Sequence, residues 1–320
     1  MMLHQGFLFL AGLACLTAAT YAVGAAPEVV LDPTGDLQAA PHGGGNAYAP
    51  EIFVENGVYR MWYGAQARDG HDRIHLAESP DGVSWEPKGV VLDHGSANHV
   101  NDPSVVKVGD TFFLYYTRAP VDVRDEIALA TSTDGVTWQE EGTVLGPDAD
   151  GTWDSLLVGR PSVLHENGRF RMWYDGRRDL PIGAPADGVP KSDRSVRAVG
   201  YAESGDGLTW TRPQAEPVFG EDAGGVHVVR VGATLVMTSE SREGTRLATS
   251  PDGLTWQSQG LFAERSGKDI DRFGHVTPFL LVEPESVTLF AGAASSASWD
   301  RNRIVRVPLS APQRQRLGHR

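Results

Sequence analysis

The 320-residue chain has one cysteine, Cys15, and it lies in an apolar leader. If the leader is cleaved after Ala25, the remaining chain has no thiol, which excludes disulfides and thiolate chemistry. The chain also lacks an excess of positive charge. It has 28 Lys and Arg residues and 41 Asp and Glu residues, which gives a net charge of −13. Nucleic acids and anionic membranes attract basic surfaces, so this acidity argues against both as partners.

Residues 1–25 contain no Lys, Arg, Asp or Glu. Small residues at Val23, Gly24 and Ala25 suit a secretory cleavage site, which predicts a signal peptide and a secreted, periplasmic or extracellular protein. The alternative is an uncleaved membrane anchor, and only in that case do we expect the membrane as a partner.

Motifs for a dedicated metal site are missing, since the chain has no HExxH, no cysteine pair and no acidic calcium loop. We therefore predict no metal ligands and no required cofactor. Glycine and proline are abundant instead, at 37 and 20, and they favour many turns over long helices.

One motif occurs four times, as SPDGVSW (79–85), STDGVTW (132–138), SGDGLTW (204–210) and SPDGLTW (250–256). A repeat of about 50 residues is typical of propellers and solenoids. Asp-Gly between two extended runs indicates a tight hairpin, because glycine adopts positive φ at little cost. We interpret the Asp and Trp residues of these hairpins as structural.

A second repeated segment reads as two strands joined by a turn, and it aligns on Pro50, Pro103, Pro161, Val226 and Pro278. With the hairpin and the strand that follows it, each repeat has four antiparallel strands. The fifth repeat lacks a fourth strand, and residues 28–35 (EVVLDPTG) resemble the missing one. We therefore predict an all-β, five-bladed β-propeller over residues 26–311, closed by an N-terminal strand that completes the last blade, with a polar tail at 312–320. A six-bladed sialidase-like propeller is the alternative.

The first strand of each blade of a propeller lines the central channel, so its start opens at a funnel mouth. Asp102 begins such a strand in VNDPSVV, where it is either a turn residue or part of a site. Because side chains alternate along a strand, we expect Glu51 to share a face with the Ala49 position. For Glu51 the alternative is an ion pair between blades, and for His227 and His275 it is an interior histidine.

Two tryptophans, Trp153 and Trp299, lie in loops that map to the funnel face. An exposed aromatic ring beside charged residues can stack on a sugar, which has an apolar face and a polar edge. Packing of a long loop is the alternative for both.

These repeats resemble the five-bladed glycoside hydrolase superfamily that includes families 43 and 32. The resemblance rests on PSV…NGRFRMWY followed by AxSxDGxxW and covers nearly all of residues 28–310. It implies three carboxylates at the starts of the first three inner strands, which act as base or nucleophile, as orienting group and as general acid.

The resemblance carries over only in part to this chain. Asp102 occupies the second of these positions, whereas Ala49 occupies the first, with Glu51 as a stand-in. Arg160 occupies the third, and an arginine does not serve as a proton donor. The acid role then passes to Glu240, to Asp175 or to a histidine such as His275, and the last has a second role by resemblance, beside a central calcium ion.

The sequence thus predicts an exported protein that acts on glycosidic bonds of oligo- or polysaccharides. A non-catalytic carbohydrate-binding or structural propeller is the alternative, and a protein-interaction propeller is a third class. The candidate catalytic residues are Asp102, Glu51 and Glu240. The candidate carbohydrate-binding residues are Arg160, Asn101, Asp154, Trp153, Trp299, His227, His275 and Asp175.

Overall fold

The structure is a computed structural model that describes residues 26–41 and 44–318. The predicted leader lies outside these residues. Within the described ranges, no helix has the length and apolar character needed to cross a membrane.

Antiparallel strands make up almost the whole fold, and they are grouped in five blades, of which the last two are joined into one sheet by a single pair between Ser241 and His275. Blade 1 contains β2 (Asn46–Glu55), β3 (Val58–Gln66), β4 (Asp72–Ser79) and β5 (Glu86–Leu92). Blade 2 contains β6 (His99–Val108), β7 (Thr111–Ala119), β8 (Glu126–Ser132) and β9 (Gln139–Leu145). Blade 3 contains β10 (Leu157–Glu166), β11 (Arg169–Arg177) and β14 (Ala198–Ser204). Blade 4 contains β15 (His227–Val231), β16 (Thr234–Ser241), β17 (Gly244–Ser250) and β18 (Gln257–Glu264). Blade 5 contains β19 (His275–Val282), β20 (Val287–Ala294), β21 (Asn302–Val307) and the N-terminal β1 (Glu28–Leu31).

The five inner strands form a closed ring. Each of β2, β6, β10, β15 and β19 contacts the next, and β19 contacts β2. The N-terminal β1 pairs antiparallel with β21, so the first strand of the chain completes the last blade. The predicted five-bladed propeller and its N-terminal closure are confirmed.

Blade 3 departs from the four-strand pattern. Its expected fourth strand at 216–222 is reduced to one isolated bridge between Val199 and Phe219, and a second bridge joins Glu203 to Thr211 ahead of that segment. Pro217 lies in this segment and Pro213 shortly before it, and proline cannot donate to a strand ladder, which explains the short pairing. A long connection between β11 and β14 carries the two-residue strands β12 (Leu180–Pro181) and β13 (Lys191–Ser192) on the funnel face.

The chain ends on the outside of blade 4. Helix α1 (Ala311–Arg316) follows the last strand, and Leu317 is buried in the core between blades 4 and 5. Gln313 Nε2 donates to the Phe262 carbonyl of β18, which attaches the residues of the predicted tail to the propeller.

All four Asp-Gly turns lie on the face opposite the funnel and share one set of hydrogen bonds. In the first, Asp81 Oδ1 accepts from the backbone N–H of Val83 and Ser84, and Ser79 Oγ accepts from Gly82 N–H. Backbone donors stabilise the charged form of a carboxylate, and they lower the pKa of Asp81 to about 2. These turns therefore use their aspartates to hold the hairpin.

A residue with left-handed backbone conformation precedes the aligned proline, or Val226 in blade 4, in every blade. The five residues at this place have φ between 42° and 55°, and they are Ala49, Asp102, Arg160, Gly225 and Thr277. The pairing registers skip there in four of the blades. Because a bulge re-aims the side chain of its strand, the simple alternation that we expected between Ala49 and Glu51 does not hold.

The residue after the aligned proline joins neighbouring blades in four of five cases. Ser104 Oγ accepts from Val163 N–H (3.0 Å), and Ser162 Oγ accepts from Val228 N–H (2.8 Å). Glu51 and His227 accept the equivalent bonds from Val105 N–H and Leu280 N–H of the next blade, and Phe279 stands at the fifth place without a polar atom. This belt of hydrogen bonds holds the inner strands at a fixed spacing around the axis.

Candidate active site at the funnel mouth

The bulges surround a cavity on the propeller axis. Its polar lining comes from all five inner strands and includes Glu51, Asp102, Arg160, His227 and Thr277. The cavity has a volume of only ≈ 30 Å³, which suffices for water and is too small for a sugar ring. A sugar ring therefore does not fit inside this cavity, and Asp102 and Arg160 are among the residues that line it.

Asp102 is a buried carboxyl group at this cavity, with 6% of its surface exposed. Burial raises its pKa to about 7, and nearby Asp175 and Glu240 act in the same direction, while Arg160 opposes them. Its Oδ1 atom has no hydrogen-bond partner among the described residues. A buried, unpaired oxygen on a carboxyl that holds its proton near neutral pH is suited to donate that proton to a ligand.

A row of alternating charges crosses the funnel from Asp102. Arg160 lies first, with Nε 4.0 Å from Asp102 Oδ2 and Nη1 2.9 Å from Asp175 Oδ1. Arg197 follows, with Nη1 3.8 Å from Asp175 Oδ2 and in direct contact with Glu240. The row brings together four sequence-predicted residues, and only Arg197 was not among them.

Asp175 and Glu240 occupy equivalent positions in β11 and β16. Asp175 lies two residues after the strand partner of Ser162, and Glu240 lies two residues after the strand partner of His227. Each accepts a hydrogen bond from the left-handed residue of the next blade, because Asp175 Oδ2 accepts from Gly225 N–H and Glu240 Oε2 accepts from Thr277 N–H, both at 3.1 Å. Burial favours a raised pKa for Glu240, but Arg197 and Arg160 outweigh it and lower the pKa. Glu240 is thus held ionised, which suits it poorly for the role of general acid.

Glycine is required where the chain enters blade 4. A Cβ atom at Gly224 would collide with Asp175 and Arg197, and one at Gly225 would collide with Glu240. Gly225 also has a φ of 55°, which an L side chain rarely adopts. The backbone at 224–225 therefore lies directly against the charged row.

A second polar group adjoins Asp102 on the side of blade 1. Asn101 Nδ2 donates to Tyr48 Oη at 2.9 Å and approaches Asp72 Oδ2 at 3.4 Å. Burial, Asp72 and Asp102 together raise the pKa of Tyr48, which keeps its phenol protonated. Oδ1 of both Asp72 and Asn101 is buried without a partner among the described residues, so this corner offers free acceptors to a ligand.

Glu51 and His227 both face the axial cavity, and each accepts a hydrogen bond from the backbone of the neighbouring inner strand. Glu51 Oε1 accepts from Val105 N–H at 3.0 Å, and burial raises its pKa to about 8. His227 Nδ1 accepts from Leu280 N–H at 3.1 Å, and burial lowers its pKa to about 3. Both side chains thus act as uncharged links between blades, below the level of Asp102.

The structure places Asp154 and Trp153 in the packing of blade 3. Asp154 is buried and accepts from Tyr174 Oη at 2.9 Å, with Arg212 Nε at 3.3 Å. Trp153 stacks on Tyr174 with ring centroids 5.9 Å apart, and the missing side chain of Gly200 leaves room for it. These contacts correspond to the packing alternative for Trp153.

Trp299 and His275 also make local contacts. Trp299 Nε1 donates to the Phe273 carbonyl at 2.8 Å, and the guanidinium of Arg242 covers its ring at 4.8 Å. His275 is fully buried, where Nδ1 hydrogen bonds with Thr245 Oγ1 at 2.9 Å and Nε2 lies 3.6 Å from Asp271 Oδ2. His275 does not line the axial cavity, so it lies apart from the charged row.

Sequence reasoning missed four charged residues of this site, namely Asp72, Asp125, Arg177 and Arg197. All four lie at the ends of the second and third strands or in the loops that join them, outside the aligned inner strands. The topological rule that these loops open on the funnel face was the signal that could have found them. Among the described residues, no group of His, Cys, Asp and Glu has the geometry to hold a metal ion.

No family model matches the chain. The uncharacterized protein Rv1502 of Mycobacterium tuberculosis (strain ATCC 25618 / H37Rv) is 27% identical over 259 residues, which cover 73% of this chain and 80% of that protein. The 1,2-beta-oligomannan phosphorylase of Thermoanaerobacter sp. (strain X514) is 31% identical over 130 residues, which cover 39% of this chain and 41% of that protein.

Solved structures share the fold over most of the chain. BT0996, solved as a complex with RGII, has a TM-score of 0.71 at 20% identity, over 89% of this chain and 92% of its own length. A thermostable family-43 glycoside hydrolase has a TM-score of 0.63 at 16% identity, over 83% and 91% of the two proteins. A GH130 structure, from a family described as mannoside phosphorylases and hydrolases, has a TM-score of 0.60 at 14% identity, over 91% and 95%. The chain therefore shares the five-bladed β-propeller fold of these solved structures, which confirms the predicted fold.

Proposed function

We propose that this protein is an enzyme that cleaves glycosidic bonds, with Asp102 as the proton donor to the leaving-group oxygen. The carrying observation is the carboxyl group of Asp102, which is buried at the funnel mouth, has a pKa of about 7 and presents a free Oδ1. Cleavage of a glycosidic bond needs such a protonated group on the leaving-group side. The fold likeness to glycoside hydrolases and the partial match to an oligomannan phosphorylase support this class of reaction.

In this proposal the residues around Asp102 have separate roles. The free acceptors of Asp72 and Asn101 bind sugar hydroxyls on the side of blade 1. The ionised Glu240, held by Arg197, places negative charge near the anomeric centre, where an oxocarbenium-like transition state develops positive charge. Arg160 fixes the position of Asp102 relative to this carboxylate row.

The test compares wild-type protein with Asp102→Asn on a panel of neutral and acidic oligosaccharides and polysaccharides. Each reaction is run with and without inorganic phosphate, and both reducing ends and sugar phosphates are measured, so that water and phosphate are distinguished as acceptors. We expect Asp102→Asn to lower the rate by about 100-fold or more, the contribution typical of a positioned acid.

A matched control is Asp110→Asn, because Asp110 is exposed in the turn that follows the same inner strand on the opposite face. This variant should retain wild-type activity. Equal rates for wild type and Asp102→Asn would refute the assignment. Saccharide binding without any cleavage by the wild type would instead favour the alternative, a non-catalytic carbohydrate-binding propeller.

We also propose that the protein is exported, because residues 1–25 have the composition of a signal peptide. Mass spectrometry of the protein recovered from its native cells tests this. An N-terminus near Ala26 is the expected result, whereas a chain that starts at Met1 and sediments with membranes would support the anchor.

A further inference from the structure

Three arginines converge at the funnel end of blade 3. Arg160 belongs to the bulge of β10, Arg177 is the last residue of β11, and Arg197 directly precedes β14. The antiparallel register of β11 and β14 ends with Gly176 opposite Ala198, so the next step places Arg177 opposite Arg197. Like charges directly opposite each other on neighbouring strands destabilise a sheet.

Two carboxylates balance only part of this charge. Asp175 and Glu240 bind Arg160 and Arg197. Asp222 also approaches Arg197, with 3.8 Å between Oδ1 and Nε, but 63% of its side chain is exposed, and water screens such a contact. Burial raises the pKa of the remaining nearby acids, Asp102 and Asp125, which reduces the negative charge that they supply at neutral pH.

Arg177 is the arginine of the three that has no carboxylate partner among the described residues. Its guanidinium has no hydrogen bond or ion pair to any described residue. It is half-buried at the edge of the funnel, and burial together with Arg197 and Arg160 lowers its pKa. A free guanidinium that is partly desolvated and repelled by two neighbours gains strongly from an anionic partner.

We propose that Arg177, together with Arg197, binds the carboxylate of an acidic sugar unit next to the bond that is cleaved. This inference rests on the proposed function, and it adds the substrate class. Arg160, Arg177 and Arg197 outnumber by one the buried carboxylates that pair with them, Asp175 and Glu240, and a uronic acid carboxylate supplies the missing partner. The planar guanidinium also matches the two oxygens of a carboxylate in a bidentate pair.

Inorganic phosphate is also an oxyanion that arginines can bind, but the charge balance at Arg177 and Arg197 argues against phosphate as the ligand. Phosphate carries between one and two negative charges near neutral pH and would overcompensate a single free arginine. The experiment therefore includes phosphate as a separate arm.

The test measures binding by calorimetry in the Asp102→Asn background, so that cleavage does not consume the probe. The probes are trimers of galacturonic, glucuronic and mannuronic acid, each paired with its carboxyl-reduced neutral form, and inorganic phosphate alone. We expect at least one acidic trimer to bind on the order of ten- to a hundredfold more tightly than its neutral form, as a charge-assisted hydrogen bond contributes.

Two variants locate the effect. Arg177→Gln should abolish the preference for the acidic form, whereas Arg169→Gln, at the opposite end of the same strand, should preserve it. Because Arg177 faces like charges, Arg177→Gln should also leave the melting temperature unchanged or higher, which a merely structural arginine would not do.

Three results would overturn the inference. They are equal binding of acidic and neutral forms in every pair, an acidic preference that survives Arg177→Gln, and Arg177-dependent binding of phosphate but of no acidic trimer. Failure of the proposed function is separate, because it would show as undiminished cleavage by Asp102→Asn or as no cleavage by the wild type, whatever the binding data are.

Discussion

Arg160 Nη1 donates a 2.9 Å hydrogen bond to Asp175 Oδ1, and this pair joins the bulge of one inner strand to the second strand of the same blade. Asp175 is fully buried, and its other oxygen accepts from Gly225 N–H at the entry to blade 4. The pair therefore connects the geometry of the funnel mouth with the integrity of the ring.

Replacement of Arg160 by methionine should destabilise the protein, because it leaves Asp175 buried with a weaker counter-charge. Removal of one partner of a buried ion pair costs about 3–5 kcal/mol, and we expect the lower end here because Arg197 lies 3.8 Å from the same carboxylate. The free energy of unfolding in urea measures the effect. Arg169→Met is the control, since its pair with Glu203 is exposed and such pairs contribute about 1 kcal/mol or less.

Activity should depend on the protonated form of Asp102. Because burial raises its pKa to about 7, kcat/KM should fall as the pH rises through that value and the acid loses its proton. In Arg160→Met the same limb should move to higher pH, since Arg160 lowers this pKa. An alkaline limb that stays in place in the variant would contradict the contact between these two residues.

Glu51 should make stability depend on pH. Its pKa is 4.5 ordinarily and about 8 in the folded protein, so between these values the unfolded chain releases a proton that the folded one keeps. The folded state then binds more protons, and stability falls as the pH rises from about 4.5 to about 8. Glu51→Gln removes this contribution and keeps an acceptor for Val105 N–H.

Unfolding curves at pH 4 and pH 8 measure this difference. The variant should gain at least about 1.4 kcal/mol on the wild type between the two, the equivalent of one pKa unit. Glu55→Gln, at the end of the same strand in a surface pair with Lys107, should show no such gain. A variant that tracks the wild type across the range would show that Glu51 is ionised in the fold.

The serines of the inter-blade belt should contribute to stability through single hydrogen bonds. Ser104→Ala leaves Val163 N–H buried without a partner, and Ser162→Ala does the same to Val228 N–H. Each change should cost about 1–3 kcal/mol of the free energy of unfolding. Ser96→Ala, at an exposed site on the funnel face, should stay within about 0.5 kcal/mol of the wild type.

Chelation of divalent cations should leave activity unchanged. The site that we propose uses carboxyl, guanidinium and amide groups, and no metal-binding cluster is found in the ranges 26–41 and 44–318. Activity before and after EDTA treatment, with calcium added back, tests this. Loss on chelation and recovery with calcium would favour the central ion that the family resemblance implies.

The repeat pattern explains why the fold could be predicted. Asp-Gly turns at 81–82 and 134–135 and the aligned prolines report local conformation, and local conformation depends on residues close in sequence. The position of Asp102 at the axis followed from the same register, because in a propeller the start of every inner strand has the same place.

The site was predicted less completely, for two physical reasons. Regular alternation predicts that Glu51 and Ala49 share a face of the strand, but Ala49 has a left-handed backbone conformation and the strand bulges there. Neither alanine nor a residue before proline favours positive φ, so the sequence gives no signal for this bulge. The loops that supply Asp72, Arg177 and Arg197 differ between blades in length and composition, so no alignment of repeats brings them to the funnel.

The sequence by itself determined the five blades, their order and the closure by residues 28–31, since hairpin and strand signals are short-range and recur in each repeat. Only the tertiary structure decided which charges meet. It separated Glu51 and His227, which link blades, from Asp102, and it set Arg177 opposite Arg197 with no side-chain partner in the described part of the chain. Burial and ion pairing depend on groups far apart in the chain, and those are determined only when the ring closes.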